Sequence, residues 1–187
     1  ALDRQHRYRL FEILIRNKDE TFVEEAKNQL LVERTRKQRV DGKEVEVTVT
    51  EIDRSVLNYL SGVLGARSMP ILSNIYDAPE LDDRQRSSIR QVAARYMGIN
   101  EDANTIVNNR IDESFQLLAT TGDKQKENRG RGISNIRYYL GRLGEGRNIP
   151  VETLQQRQQF LTNLRAKTND KEVLAMADKV DKRLKDM

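Results

Sequence analysis

The chain has 187 residues, 33% of them charged, with 33 basic and 29 acidic side chains and a net charge of +4. It contains no cysteine and a single histidine, His6, which excludes disulfides, thiolate metal sites and cysteine nucleophiles and removes the usual zinc donors. Leu, Ile, Val and Phe number 48, enough for a real though modest core.

No apolar run approaches the ~20 residues needed to span a bilayer, and the start carries no charged-plus-apolar signal segment. The expected location is therefore cytoplasmic, or inside a particle in a reducing environment. Arg outnumbers Lys by 22 to 11. Its planar fork of donors suits carboxylates and phosphates.

In chain order, Asp3 to Arg16 holds Leu10, Phe11, Ile13, Leu14 and Ile15 and reads as a helix. A second helix is expected from Thr21 to Lys37, with Phe22, Val23, Ala26, Leu30 and Leu31 at helical spacing, antiparallel to the first. Asp41-Gly42 then signals a two-residue hairpin turn, because type I′ turns need positive φ at both central positions. Val45, Val47 and Val49 alternate as in a strand. That turn sets Arg39 opposite Glu44, Lys37 opposite Glu46 and Thr35 opposite Thr48, in a β-hairpin over residues 35–49. Such a ribbon is either an arm for assembly or a wing packed on its own domain.

Thr50 is expected to open the next helix, whose stripe is Ile52, Val56, Leu57, Leu60, Val63 and Leu64, closed by Gly65. The stretch SMPILSNIYDAP reads as a connector and divides residues 1–67 from 68–187. Asp77 should cap a helix with Pro79 in its first turn and Leu81, Ile89, Val92, Ala93, Tyr96 and Met97 inward. Gly98 ends that helix, and Asn100 caps one running to Leu118. Together the two look like a helix-turn-helix, but Asn104 stands where an apolar residue is wanted. Glu101 and Asp102 would also repel phosphates, so an ordinary helical corner is the better reading.

The stretch KQKENRGRGISNIRYYLGRLGEGR, residues 124–147, has seven basic and two acidic residues and exceeds the whole chain's net positive charge. Residues up to Gly132 read as a loop, with Gly130 and Gly132 able to cup an anion before a helix from Ile133 to Leu143. The stretch is neither a GxGxxG nor a GKS/GKT loop, so a nucleotide pocket is not expected. Pro150 starts another helix, with Leu154, Leu161 and Leu164. Asn169 or Asp170 caps the last, with Val173, Ala177, Val180 and Leu184 on one face.

The expected class is all-α, with roughly eight helices in an antiparallel or orthogonal array and one small hairpin. No nucleophile, metal cluster or cofactor loop emerges. His6 sits among Arg4, Arg7 and Arg9, which suits a surface residue better than a general base. Of the carboxylate pairs Asp82-Asp83, Glu101-Asp102 and Asp112-Glu113, two lie near helix starts, and adjacent residues on a helix point apart and make poor metal clamps. The expected function is a non-enzymatic interaction protein, a subunit or adaptor of a larger assembly, without a cofactor. Its partners are protein subunits, with a homo-oligomer also compatible. The contact residues are Lys124, Lys126, Arg129, Arg131, Arg137, Arg142 and Arg147, with a second patch of Arg34, Arg36, Lys37 and Arg39 at the base of the arm. The alternative is a nucleic-acid-binding protein that sets residues 124–147 on the phosphate backbone, with Tyr138 and Tyr139 stacking on bases.

Overall fold

The computed structural model describes residues 4–146 and 149–187. They are mostly helical, with one two-stranded antiparallel sheet. No helix among them is long and apolar enough to cross a membrane. The chain forms two compact units, Ala1–Ile89 and Arg90–Met187. The division falls inside a helix, and residues 69–76, expected as a connector, are themselves helical.

The first unit begins with α1 (Arg4–Asn17) and a short α2 (Val23–Asn28). Asp3, the expected start of α1, lies outside the described residues. The expected helix from Thr21 to Lys37 stops nine residues early: β1 runs over Leu31–Val40 and pairs with β2, Lys43–Ile52. Leu31 and Val32 fit either period, and long-range pairing with Ile52 and Glu51 decides for strand. The register is the expected one, with Thr35 opposite Thr48, Lys37 opposite Glu46 and Arg39 opposite Glu44. Asp41 and Gly42 have φ of 50° and 81°, the two left-handed positions of a type I′ turn.

Because β2 extends to Ile52, Thr50 does not open α3 (Arg54–Leu64). Asp53 does, accepting from the backbone N–H of Ser55 at 2.9 Å and of Val56 at 3.3 Å. Val56, Leu57, Tyr59, Leu60 and Val63 of α3 are buried and form the centre of this unit. From α1, Phe11 stacks on Tyr59 with ring centroids 4.8 Å apart. Buried Asp53 binds the guanidinium of Arg7. A 3₁₀ turn (Gly65–Ser68) leads into α4 (Met69–Tyr76), where Pro70 stands in the first turn and Met69, Leu72 and Tyr76 are buried. Proline's fixed φ suits that position, so Pro70 begins a helix rather than breaking one.

The next helix, α5 (Asp83–Tyr96), starts six residues after the expected cap Asp77. Asp82 takes that role, accepting from the N–H of Gln85 at 2.8 Å. Gln85 in turn receives the N–H of Ile52 at 2.8 Å and so fixes the root of the hairpin.

The second unit holds α6 (Glu101–Leu118), α7 (Gln125–Leu143), α8 (Val151–Ala166) and α9 (Lys171–Lys185). Helix α7 packs against α6 and α9, and α8 against α9. Asn100 caps α6, as expected. Asn104 is not a misplaced core residue: its Oδ1 accepts the N–H of Gly98 at 2.6 Å and ties α6 to the turn before it. Ile133, Ile136, Tyr139, Leu140 and Leu143 of α7 are buried with Phe160, Leu161 and Leu164 of α8 and Val173, Ala177 and Leu184 of α9.

Candidate contact surfaces

The anion cup expected at Gly130 and Gly132 does not exist. Both glycines lie inside α7, whose first residue is Gln125. The helix persists through them because Gly132 lets α6 come close: a Cβ there would stand 2.8 Å from the carbonyl oxygen of Ser114 and 2.9 Å from Leu118. Glycine weakens a helix by ~1 kcal/mol relative to alanine, and that local cost is overridden by packing.

The basic residues of this helix separate into two sets. Arg129 donates to Asp170 at 2.6 Å and lies 3.4 Å from Glu172. Arg137 lies 3.3 Å from Glu172. Arg142 pairs with Glu145 at 2.8 Å and sits over the ring of Tyr138, 5.7 Å from its centroid. The neighbouring carboxylates raise the pKa of Arg129 and Arg142, and Arg129 lowers that of Asp170. Arg129 and Arg137 thus link α7 to the start of α9, while Arg142 pairs locally at the end of its own helix. Lys124, Lys126 and Arg131 are exposed and make no ion pair among the described residues. Arg147 lies outside the described residues.

Lys126 and Arg131 border an open groove of about 700 Å³ between α6 and α7. Its walls also carry Arg110, Ser134 and Asn135, with Asp123 and Glu127 partly offsetting the cations. The second unit has 18 basic and 13 acidic residues, the first 15 and 16, so the positive charge belongs to the second.

The hairpin is the other exposed surface. Residues 33–40 and 43–46 are exposed throughout; Leu31, Val32, Val47 and residues 49–51 are half-buried, and only Ile52 at the root is fully buried. Ten-residue strands reach roughly 33 Å. The distal part of the ribbon, residues 33–46, is therefore not packed on its own unit, while its root is. Its basic patch is largely answered within the ribbon: Arg34 and Arg36 lie 3.6 and 3.4 Å from Glu51 and Lys37 lies 3.7 Å from Glu44, while Arg39 reaches the Gly42 carbonyl at 3.4 Å.

No protein family, curated protein or solved structure matches this chain. Among the described residues no cluster of His, Asp and Glu is arranged to hold a metal ion.

Alternation gives the ribbon two unlike faces. One carries Val32, Arg34, Arg36, Gln38 and Val40 opposite Glu51, Val49, Val47, Val45 and Lys43. The other carries Glu33, Thr35, Lys37 and Arg39 opposite Thr50, Thr48, Glu46 and Glu44, with the Thr35 and Thr48 hydroxyls 3.3 Å apart. The second face is wholly polar along that length. The first has a valine stripe in its middle, with Val40 and Val45 exposed. Sequence reading found the strand alternation, but it did not sort the two faces by charge. Residues 38–45 carry that information once the turn is fixed, because the turn sets which side chains share a face.

Proposed function

We propose that this protein is a non-enzymatic interaction subunit of a larger assembly, with the hairpin Leu31–Ile52 as its principal contact element. The observation that supports this is the exposure of both faces over the distal part of the ribbon, residues 33–46. A free two-stranded hairpin is marginal in water, and one this long gains stability by lying on something else. Long exposed ribbons also risk edge-to-edge aggregation, which a bound partner suppresses. The chain isolated under native conditions from cells that express it should run well above its 21.7 kDa. The same chain lacking residues 37–46 should run as a monomer. A monomer in both cases would overturn the reading.

A second reading rests on a separate observation, the free cations Lys124, Lys126 and Arg131 beside the α6–α7 groove. They would set the second unit against a polyanion, either nucleic acid or an acidic protein surface. Bound nucleic acid would show in the absorbance ratio at 260 and 280 nm, because the chain has no tryptophan to mask it.

A further inference from the structure

The two faces of the ribbon differ in charge as well as in polarity. The valine face carries Arg34, Arg36 and Lys43 against Glu51 alone. The polar face carries Glu33, Glu44 and Glu46 against Lys37 and Arg39. Towards its root the valine face runs into a notch of about 320 Å³ whose walls carry Arg34, Arg36, Arg54 and Arg84 together with Glu51, Asp53 and Asp82. Arg54 and Arg84 make no ion pair among the described residues. The face thus offers an apolar stripe, exposed at Val45 and half-buried at Val47 and Val49, with a net positive border and ending in a notch where four guanidinium groups outnumber three carboxylates.

We propose that the valine face of the hairpin docks an amphipathic helix of another protein, one whose apolar stripe is bordered by acidic side chains. This rests on the interaction role argued above and specifies the partner. Val45, Val47 and Val49 span roughly 13 Å, and a helix presents apolar residues at i, i+3, i+4 and i+7 over about the same length. Two strands are together roughly 10 Å wide, which matches a helix diameter. Charge complementarity selects acidic borders, since like charges across an interface are costly.

A second copy of this chain does not supply such a surface. On its first unit the exposed apolar side chains Tyr8, Leu10, Ile13 and Phe22 form no single acid-bordered stripe: Tyr8 and Leu10 stand about 200° apart around α1, which exposes Arg9 and Arg16 as well as Glu12. The polar ribbon face is acidic but has no apolar stripe. Nucleic acid fits poorly as well: the ribbon from Leu31 to Ile52 has five basic and five acidic residues, without the net positive charge that phosphate binding draws on.

The test uses the full chain and two labelled helical peptides of about 20 residues, long enough for helix formation. Both carry a leucine stripe, bordered by Glu in one and by Lys in the other. Fluorescence anisotropy should give binding of the Glu peptide at least about tenfold tighter than of the Lys peptide, a gap of ~1.4 kcal/mol. The double substitution V45T/V47T keeps β-branched residues in the strand and should weaken Glu-peptide binding about tenfold, as apolar contact is lost. K43E, at the exposed tip where it disturbs no packing, should weaken the same binding and serves if the double variant misfolds.

Equal binding of the two peptides, binding of neither, or binding indifferent to these substitutions would overturn the proposal. If deleting residues 37–46 abolishes the higher native mass while the peptides bind alike, the interaction role stands and only the partner's chemistry is wrong. If the deletion leaves the mass unchanged, both fall.

Discussion

Arg129 of α7 donates to Asp170 at 2.6 Å, and the same carboxylate accepts the backbone N–H groups of Glu172 and Val173 at the start of α9. One side chain therefore caps a helix and anchors it to its neighbour. The hydrogen bond from Arg129 lowers the Asp170 pKa, so the folded state favours the ionised form. A group with a depressed folded pKa contributes stability above its unfolded pKa, and that contribution is lost as pH falls through the folded value.

Asp170→Asn should keep the cap, because asparagine is as good at that position, and should lose the ion pair. Asp170→Ala should lose both and be less stable than the Asn variant by ~1 kcal/mol. The advantage of wild type over Asp170→Asn should be constant above about pH 5 and shrink as pH falls below about 4, the ordinary carboxylate range. Thermal unfolding midpoints measured against pH check this. Taking the difference from the Asn variant removes contributions from Asp19 and Asp181, whose pKa values are also lowered.

Gly130 and Gly132 look interchangeable in the sequence, and the structure assigns them opposite responses. A Cβ at Gly130 meets nothing within 4 Å, whereas one at Gly132 meets the Ser114 carbonyl at 2.8 Å. Gly130→Ala should stabilise by up to ~1 kcal/mol through helix propensity. Gly132→Ala should destabilise by ~1–3 kcal/mol as α6 is pushed away. Chemical denaturation of the two single variants tests the sign of each.

That pair also marks where the sequence was legible and where it was not. The hairpin register followed from Asp41-Gly42 alone, because a type I′ turn leaves no freedom in which residues oppose one another. Helix α6 was legible from its cap Asn100 and its repeat Ala103, Val107, Ile111, Phe115 and Leu118, of which the first three are buried and the last two half-buried. The start of α7 was not: two glycines within three residues outweigh local propensity, and what restores the helix is contact with α6, distant in sequence. Pro70 was misread as a connector for a related reason, since proline is disfavoured only after the first turn of a helix. The candidate cations were identified by type, but their partners were not. Nothing local says that Arg129 will meet Asp170, 41 residues away, while Arg131 meets none.

Asn104 is a further case where a polar residue that looked misplaced has a partner. Its Oδ1 accepts from Gly98, which is itself buried. Asn104→Ala removes the acceptor and should cost ~1–3 kcal/mol, the penalty for an unpaired buried donor. Asn104→Asp keeps an acceptor oxygen and should stay much closer to wild type. Equal loss in the two variants would show that the amide works by packing rather than by its hydrogen bond.

The division of the α7 cations gives a discriminating test of the second functional reading. If the second unit meets a polyanion, the free cations should carry the contact and the paired ones should not. K124A/K126A/R131A should abolish binding to single-stranded nucleic acid and leave thermal stability unchanged. R129A/R137A should lower stability, since Asp170 and Glu172 lose their partners, and should change binding little. Three phosphate contacts predict a slope of log K against log salt of about −2. Loss of binding in R129A/R137A, with the triple variant unaffected, would place any contact on the α9 side of the helix and overturn the assignment of the groove.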